Sequence, residues 1–376
     1  MATSDQKIMK KKIKIGIIFG GKSAEHEVSL QSAKNVFDAI DKEKYEPVLL
    51  AIDKDGRWLL NNSSEFLLNS GNPKLIKLNS KTSQSVALVP QGNGEISNLD
   101  THQSDSSIDV AFPILHGPFG EDGTIQGLLK LANIPFVGAS VLGSAVGMDK
   151  DVMKRLLRDA GIPIASFLAV KENEIPTYEE VVKKLGLPFF VKPANMGSSV
   201  GVSNVGEKMD FDKAIREGFK YDRKVLIEEN IKGREIECSV LGNDDPVASV
   251  PGEVISSHDF YSYEAKYIDE HGAALEIPAK LSDEITKKVQ ALAVKTFKTL
   301  ACEGLGRVDF FLKENGDVLV NEINTIPGFT SISMYPKLWE ASGISYAELI
   351  DRLIQLALER FEKEQKLKTS YDTEDK

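Results

Sequence analysis

The sequence predicts an α/β fold divided among more than one domain. Apolar, strand-like runs alternate with segments of helical spacing along much of the chain. The first of these runs ends in a glycine pair and leads through a helix to a second strand, which is a Rossmann-like arrangement. Because 376 residues exceed the length at which a single hydrophobic core keeps growing, we expect two or three domains.

The N-terminal third supplies the elements of the first domain. The strand IKIGIIFGG, the helix VSLQSAKNVFDAI and the strand YEPVLLAI come first, and the buried strand IDVAFPILHG later precedes a loop, a helix and a strand. Residues 61–107 between them are rich in Ser, Asn and Gln, and we interpret them as a small β excursion. The glycine pair alone is weak evidence for a nucleotide site, since the dinucleotide fingerprint is incomplete. We expect this domain to end near Gly147.

The middle section of the chain indicates an anion site. Two amphipathic helices and the strand PFFVKPA lead into the loop NMGSSVGVSNV, whose small residues can hold an anion with backbone donors or form a flexible turn. Lys192 ends the strand immediately before this loop, and Lys150 opens a preceding helix. Neither position suits a merely solubilising lysine, so the two lysines favour phosphate as the anion.

The next segment, KVLIEENIKGREIECSVLG, predicts two strands joined by a turn at Lys232-Gly233. Its carboxylates Glu228, Glu229 and Glu235 could contact an adenine amine and ribose hydroxyls. Taken one at a time, each is more commonly a surface charge.

The segment RVDFFLKENGDVLVNEINTIP carries the strongest signal in the chain. Asn315-Gly316 lies between two apolar runs and predicts a hairpin with a two-residue turn, in which both central residues have positive φ. The predicted register forms four pairs: Glu314 with Asp317, Phe311 with Val320, Asp309 with Glu322, and Arg307 with Asn324.

This register predicts a metal site. Alternate strand residues share a face, so Arg307, Asp309, Glu322 and Asn324 should project to one side of the hairpin. Opposed carboxylates destabilise a sheet unless they are neutralised, and a hard divalent cation with oxygen ligands would do so. Asn324 offers a further oxygen, while Arg307 could hold an anion bidentately. The alternative is a solvated hairpin face with an Arg–Asp ion pair.

Composition narrows the class of protein. The net charge of -10 gives no support for nucleic acid or an anionic membrane as partner. The N-terminus lacks the pattern of a signal peptide, and no apolar run reaches transmembrane length. Cys238 and Cys302 lie in apolar stretches without metal-ligand spacing, as expected for buried thiols of a cytoplasmic protein.

Six motifs follow one another along the chain: GGKSAEHEVSL (20–30), HGPFGEDG (116–123), MDK (148–150), KPANMGSSVG (192–201), YSYEAKY (261–267), and RVDFF with NEINTIPGFTSISM (307–311 and 321–334). Together they resemble the ATP-grasp superfamily and, within it, the D-alanine:D-alanine ligases, over about residues 13–360. The resemblance implies a Rossmann-like N-terminal domain followed by a two-subdomain ATP-grasp fold, with divisions at 1–147, 148–228 and 229–376. Members of this family are typically homodimers.

The resemblance also implies a reaction. ATP would phosphorylate the carboxylate of one D-alanine, and the amine of a second D-alanine would displace the phosphate to give D-alanyl-D-alanine for peptidoglycan. Asp309, Glu322 and Asn324 would bind two Mg ions, or Mn, with Glu322 shared between them. The residues implied to hold ATP are Lys150, Lys192, Ser198, Ser199, Glu228, Glu229, Ile231, Glu235, Lys266 and Asn321.

Further positions match family residues around the two amino acids. Arg307 and the amide of Gly328 match groups that stabilise the tetrahedral oxyanion, and Glu25 matches the residue that holds the first ammonium group. The resemblance places His116 near the first substrate, although a histidine at a strand end is more often a hydrogen-bonded structural residue. It also places Ser333 and Met334 around the second carboxylate, where loop packing is the alternative.

The polar segment SSHDFYSYEAKYIDEHGA predicts a mobile loop that closes over the intermediate. Tyr267 matches the tyrosine that hydrogen-bonds to the equivalent of Ser198, which links in turn to Glu25, and it favours a dipeptide product. Three alternatives remain: a ligase for D-lactate or D-serine, a non-catalytic nucleotide-binding protein of this fold, and a Rossmann oxidoreductase. The last is disfavoured by the incomplete fingerprint.

Overall fold

Three large β-sheets and the helices packed on them build the molecule. The computed structural model describes residues 11–61, 66–69, 72, 75–79, 83–104, 106–256 and 273–370. Buried apolar side chains pack on each large sheet, and one of these cores combines the first sheet with Leu241 and Leu305 of the third. The predicted α/β class is therefore confirmed.

The first sheet is mixed and has the strand order β8-β7-β6-β3-β2-β1-β9. Its strands are β1 (Ile13–Gly20), β2 (Tyr45–Ile52), β3 (Trp58–Asn61), β6 (Gln84–Leu88), β7 (Glu95–Asn98), β8 (Ser106–Ser107) and β9 (Val110–Ile114). The helix α1 (His26–Ala39) joins β1 to β2 in parallel, as the Rossmann-like pattern predicts. The excursion adds three antiparallel strands to this sheet, and a separate hairpin of β4 (Leu67–Leu68) and β5 (Lys77–Leu78).

Three helices connect the first sheet to the second: α2 (Thr124–Leu131), α3 (Val141–Met148) and α4 (Lys150–Asp159). The Asp149 side chain caps α4 by accepting hydrogen bonds from the amides of Asp151 and Val152. This cap fixes Lys150 as the first residue of the helix, as the sequence predicts.

The second sheet is antiparallel and has the order β10-β13-β11-β12. Its elements are β10 (Phe167–Lys171), α5 (Tyr178–Leu185), β11 (Phe189–Pro193), β12 (Ser203–Val205), α6 (Lys208–Gly218) and β13 (Lys224–Glu229). A reciprocal capping box between Thr177 and Glu180 starts α5. Burial alternates along β11, so Phe189 and Val191 enter the core while Phe190 and Lys192 lie on the opposite face.

The third sheet has the order β17-β16-β14-β18-β19, with β15 paired to β14. Its strands are β14 (Arg234–Gly242), β15 (Val247–Ala248), β16 (Gly252–Ser256), β17 (Ala273–Glu276), β18 (Gly304–Leu312) and β19 (Val318–Asn324). The helix α7 (Asp283–Thr299) packs on this sheet, and α8 (Met334–Ala341) and α9 (Tyr346–Gln365) follow it.

The helix α9 joins the first and third sheets. Leu349, Leu353 and Ile354 are buried in the same core as β1 and β9. Near the end of the helix, Arg360 donates to the carbonyl oxygens of Phe136, at 2.7 Å, and of Gly138. The C-terminal helix therefore anchors the third unit to the first.

The hairpin of β18 and β19 has a different turn from the predicted one. Lys313 pairs with Asp317 around a three-residue loop, and within the loop Gly316 alone has a positive φ, of 84°. This loop shifts the pairing by one residue, so Phe311 lies opposite Leu319 and not opposite Val320. The prediction of a two-residue turn was therefore wrong, because Asn-Gly also suits a three-residue loop that ends in a left-handed glycine.

A bulge on β19 restores the predicted register where it matters for the site. Phe310 pairs with Val320, whereas Asp309 pairs with Glu322, so Asn321 is the extra residue. Beyond the bulge the observed pairs Asp309–Glu322 and Arg307–Asn324 are those predicted.

The structure also bears on the predictions for the two cysteines and for membrane-spanning helices. Cys238 and Cys302 are free and buried, and burial raises the pKa of each thiol to about 12. Among the described helices, none combines the length and the apolar character that a bilayer span requires.

Candidate active site

One large cavity, of about 1280 Å³, is lined by strands of the second and third sheets, by α1, and by loops from all three units. Every predicted site residue in the described part of the chain lines it: Glu25, His116, Lys150, Lys192, Ser198, Ser199, Glu228, Glu229, Ile231, Glu235, Arg307, Asp309, Asn321, Glu322, Asn324, Gly328, Ser333 and Met334. Lys266, Tyr267 and the predicted loop around them lie outside the described residues.

The hairpin of β18 and β19 forms one wall of the cavity. Asp309 and Glu322 oppose each other, and the Asn324 amide donates to Asp309 Oδ2 at 3.0 Å. The bulge turns both Asn321 and Glu322 toward the cavity, although adjacent strand residues normally face opposite sides. Asn321 Oδ1 is buried without a hydrogen-bond partner among the described residues.

Arg307 lies between two carboxylates on this wall. Its Nε is 2.7 Å from Asp309 Oδ1 and 2.7 Å from Glu237 Oε2, and its Nη2 donates to Asp309 Oδ2 at 2.8 Å. Burial opposes the charge, but Asp309 and Glu237 raise the pKa of Arg307 well above its ordinary value. The Arg–Asp ion pair of the alternative interpretation is therefore present. The hairpin face that carries it lines a cavity and is not the solvated surface of that interpretation.

Two lysines bring positive charge to the same space. Lys150 Nζ is 3.2 Å from Glu322 Oε2 and donates to the Met196 carbonyl at 2.8 Å. Lys192 Nζ is 2.8 Å from Glu228 Oε2, on the adjacent strand. Both ammonium groups therefore lie beside carboxylates on the cavity wall.

Lys154, which sequence reasoning missed, completes a buried charge cluster with Lys192 and Glu228. Its side chain is fully buried, and its Nζ is 3.3 Å from Glu228 Oε1. Burial alone would raise the pKa of Glu228, but the two lysines hold it below its usual value. Its spacing of four residues from Lys150 on α4 was the available signal.

The Gly/Ser loop after β11 approaches the first sheet. Ser198 Oγ donates to Glu25 Oε1 at 2.5 Å, which connects residues 173 positions apart. Ser198 and Ser199 both have positive φ, of 52° and 60°, an uncommon conformation for residues with a Cβ atom. Such strain is typical of loops held in place by their surroundings at functional sites.

His116 is fully engaged by the protein. Its Nδ1 donates to the Ile326 carbonyl at 3.0 Å, and its Nε2 is 3.4 Å from Ser32 Oγ. Burial lowers the pKa of His116 and so favours the neutral ring, although the charge of Glu25 acts in the opposite direction. The histidine lines the cavity, and its hydrogen bonds also give it the structural role that the sequence analysis named as the alternative to a substrate contact.

Glu121 is a second residue that sequence reasoning missed. It accepts hydrogen bonds from the amide of Gly117 at 2.8 Å and from that of Ile326 at 3.1 Å, so it joins loops from the first and third units. Burial and the nearby Glu25 raise the pKa of Glu121 to about 8. It stands in the HGPFGEDG motif, which was the available signal.

We expect Glu121→Gln to change how stability depends on pH. Because the pKa of Glu121 is raised, the folded protein binds more protons than the unfolded chain between the ordinary glutamate pKa of 4.5 and about 8. Its contribution to stability therefore falls as pH rises through this window. The free energy of unfolding of the unsubstituted protein, measured in urea, should fall relative to that of the variant between pH 5 and pH 9. A constant difference would contradict the assignment.

The loop after β19 and the start of α8 close the cavity. The Ser333 hydroxyl accepts from the Thr330 amide at 3.1 Å, and Ser333 is the N-cap residue of α8. An added Cβ on Gly328 would lie 3.0 Å from Ser333 Oγ, so this close approach suits glycine. Unpaired amides at a helix start favour an anion. Asn72, from the excursion, also lines the cavity.

The donor set fits a hard cation that completes its coordination with ligand oxygens. No three His, Cys, Asp or Glu side chains converge as metal ligands within the described ranges. Asp309 and Glu322 supply two carboxylates, and Asn324 adds an amide oxygen. Mg²⁺ characteristically binds through one or two carboxylates together with substrate phosphates, so this incomplete set suits it better than a closed protein site would.

Comparisons with known proteins agree over nearly the whole chain. The family models for the N-terminus and the C-terminus of D-ala D-ala ligases match residues 14–139 and 156–355. A D-alanine–D-alanine ligase of Oceanobacillus iheyensis is 56% identical over 362 residues, which cover 96% of this chain and 99% of that protein. D-alanine–D-alanine ligase A of Escherichia coli K12 is 54% identical over 363 residues, with the same coverage.

Solved structures similar to this chain are also ligases of this family. The D-alanine–D-alanine ligase of Coxiella burnetii has a TM-score of 0.83 and 40% identity, and the match covers 95% of this chain and 97% of that one. The D-Ala:D-Ser ligase VanG of Enterococcus faecalis has a TM-score of 0.82 and 36% identity, covering 92% of this chain and 100% of that one.

Proposed function

Because the chain belongs to the D-alanine–D-alanine ligase family, with its ATP-grasp fold, we propose how its residues join two D-alanine molecules at the expense of ATP. The observation that carries the proposal is the convergence, in one cavity, of the opposed carboxylates Asp309 and Glu322, the lysines Lys150 and Lys192, and the Glu25–Ser198 contact. The product, D-alanyl-D-alanine, is a precursor of bacterial peptidoglycan.

The nucleotide lies between the second and third sheets. Lys150 and Lys192 contact its phosphates, and Ser198 and Ser199 cover them from the Gly/Ser loop. The nucleoside lies against Glu228, Glu229, Ile231, Glu235 and Asn321 on the cavity wall. The support is chemical: the ammonium groups are free to exchange a carboxylate for a phosphate, and the Asn321 carbonyl oxygen is buried in this wall.

Asp309, Glu322 and Asn324 would supply the ligands for two divalent cations, Mg²⁺ or Mn²⁺. When bound, these ions neutralise phosphate charge and orient the transferring group. The chain itself brings the three oxygen donors to one face through the β18–β19 register.

The first chemical step activates one amino acid. A carboxylate oxygen of the first D-alanine forms a bond to the γ-phosphorus as the bond to the ADP oxygen breaks, which gives an acyl phosphate and ADP. Glu25 holds the ammonium group of this D-alanine, and the hydrogen bond from Ser198 fixes its carboxylate. His116 lies beside the same substrate as a neutral ring.

The second step forms the peptide bond. The free amine of the second D-alanine attacks the acyl carbon and the C–N bond forms. Phosphate leaves as the C–O bond breaks, and the proton that the nitrogen loses passes to the departing phosphate or to water. Arg307 and the Gly328 amide stabilise the tetrahedral oxyanion, which suits a guanidinium that stays charged throughout. Ser333, Met334 and the start of α8 receive the carboxylate of the second substrate.

Other expectations from the resemblance extend the proposal. Lys266 contacts phosphate and Tyr267 binds Ser198; both positions lie outside the described residues. We retain the divisions 1–147, 148–228 and 229–376, which keep each large sheet within one division apart from the last residue of β13. The enzyme works as a homodimer in the cytoplasm, where ATP is present and thiols such as Cys238 stay reduced.

The decisive assay measures phosphate and product together. The purified protein is incubated with ATP, Mg²⁺ and D-alanine, alone or with D-lactate or D-serine, and phosphate release is compared with product mass. Phosphate matched by D-alanyl-D-alanine in every mixture supports the proposal. A preference for the mixed product would move the second-substrate specificity, as in the D-Ala:D-Ser relative. Nucleotide binding without D-alanine-dependent phosphate would favour a non-catalytic protein.

A further inference from the structure

Glu237 extends the row of carboxylates on the cavity wall. It lies on β14 directly opposite Asp309 of β18, which in turn lies opposite Glu322 of β19. Burial alternates along β14, so Glu235 and Glu237 line the cavity while Ile236 and Cys238 enter the core. The reaction described above gives Glu237 no role.

The contacts of Glu237 identify what it acts on. Its Oε2 is 2.7 Å from Arg307 Nε, and its side chain is 13% exposed, so water screens this ion pair weakly. Asp309 accepts the Nε–H hydrogen bond at the same distance and a second one from Nη2, so the contact of Glu237 Oε2 with Nε is an ion pair. Arg307 is therefore shared between two carboxylates on opposite sides.

Asp309 and Glu237 have different roles in the proposed reaction. Asp309 is a proposed metal ligand, and oxygen atoms that coordinate a divalent cation are weaker hydrogen-bond acceptors for a guanidinium. Glu237 faces Asp309 from the strand on the side away from Glu322, so it can keep its contact with Arg307 while Asp309 turns to the cation. A buried arginine without such a partner would be strongly destabilised.

We propose that Glu237 is the positioning residue that keeps the Arg307 guanidinium aimed at the reacting acyl group while Asp309 serves the metal. This inference rests on the proposed function. Glu237 acts through Arg307 and touches neither the metal nor the reacting atoms.

Kinetics of Glu237→Gln provide the first test. We expect kcat to fall by about 10-fold to 100-fold, while KM for ATP and the Mg²⁺ concentration for half-maximal rate stay within about twofold. The matched control is Glu253→Gln on β16, which removes a carboxylate that pairs bidentately with Arg234 outside the cavity; its kcat should not change. An unchanged kcat in Glu237→Gln overturns the proposal, and a raised Mg²⁺ requirement would make Glu237 a metal ligand instead.

A double-mutant cycle separates action through Arg307 from an independent effect. In an Arg307→Lys background, Glu237→Gln should reduce kcat by less than about twofold further, because its partner is already lost. A full additional loss would mean that Glu237 acts by another route and would overturn the proposal.

A spectroscopic test does not depend on turnover. In protein labelled with ¹⁵N at arginine Nε and bound to ADP and Mg²⁺, the Arg307 Nε–H signal, assigned by its absence in Arg307→Lys, should be protected from exchange with water. The protection should persist in Glu253→Gln and be lost in Glu237→Gln. Protection that survives Glu237→Gln overturns the inference, whereas protein with the expected signals but no D-alanine-dependent phosphate would overturn only the proposed function.

Discussion

Glu322→Gln is expected to lower D-alanine-dependent ATP turnover by at least about a hundredfold while the fold remains intact. The amide keeps the size of the side chain but removes the charge that faces Asp309 and lies 3.2 Å from Lys150. A proposed ligand of the cations then loses an anionic oxygen at the point where phosphate charge must be neutralised. Phosphate release and dipeptide formation give the measurement, and circular dichroism reports the fold.

The control for this change is Glu314→Gln on the same hairpin. Glu314 is exposed at the three-residue turn, far along the ribbon from the cavity wall, so its substitution should leave turnover within about twofold. Normal turnover in Glu322→Gln would remove this residue from the metal site and, with it, the interpretation of the opposed carboxylates.

Arg307→Lys should lower kcat by about a hundredfold to a thousandfold, although the positive charge is retained. A lysine presents one ammonium group in place of a planar fork, so it cannot hold both Asp309 and Glu237 and still direct a donor at the oxyanion. KM for ATP should change little, because Lys150 and Lys192 bind the phosphates in the proposed mechanism.

Arg234→Lys is the matched control for Arg307→Lys. Arg234 lies on β14 and pairs with Glu253, so the substitution makes the same chemical change in an arginine–carboxylate pair outside the cavity. We expect its kcat to match that of the unsubstituted protein. If Arg307→Lys kept kcat within fivefold of the normal value, geometry at the guanidinium would not contribute to the reaction.

The hairpin illustrates how far sequence could predict this site. Pairing of Asp309 with Glu322 was predicted correctly, but from a two-residue turn that the structure does not contain. The true register results from two opposite one-residue shifts, one at the turn and one at Asn321. The local sequence gives no clear sign of the bulge, because it depends on how the edge strand β19 packs against β18, α3 and α7 and on which side chains must reach the cavity.

Residues missed by sequence reasoning share a different cause. Lys154 looks like part of the polar face of an amphipathic helix, and Glu121 looks like a loop carboxylate. Their burial depends on neighbours distant in sequence: Glu228 for Lys154, and the amide of Ile326 for Glu121. The alternation of strands and helices predicted the first sheet, and the Asn-Gly signal predicted the β18–β19 hairpin, whereas the full strand orders of the two antiparallel sheets were not predicted from the local sequence.

The contact between Ser198 and Glu25 has a thermodynamic consequence. One residue belongs to the proposed phosphate loop and the other to the proposed site for the first ammonium group, so a ligand that orders either one also prepares its partner. Linkage makes such an effect reciprocal: whatever factor ATP contributes to the affinity for D-alanine, D-alanine contributes to the affinity for ATP. One coupling free energy therefore links the binding of the two ligands. The hydrogen bond between Ser198 and Glu25, which are distant in the sequence, is the contact through which binding of one ligand changes the affinity for the other.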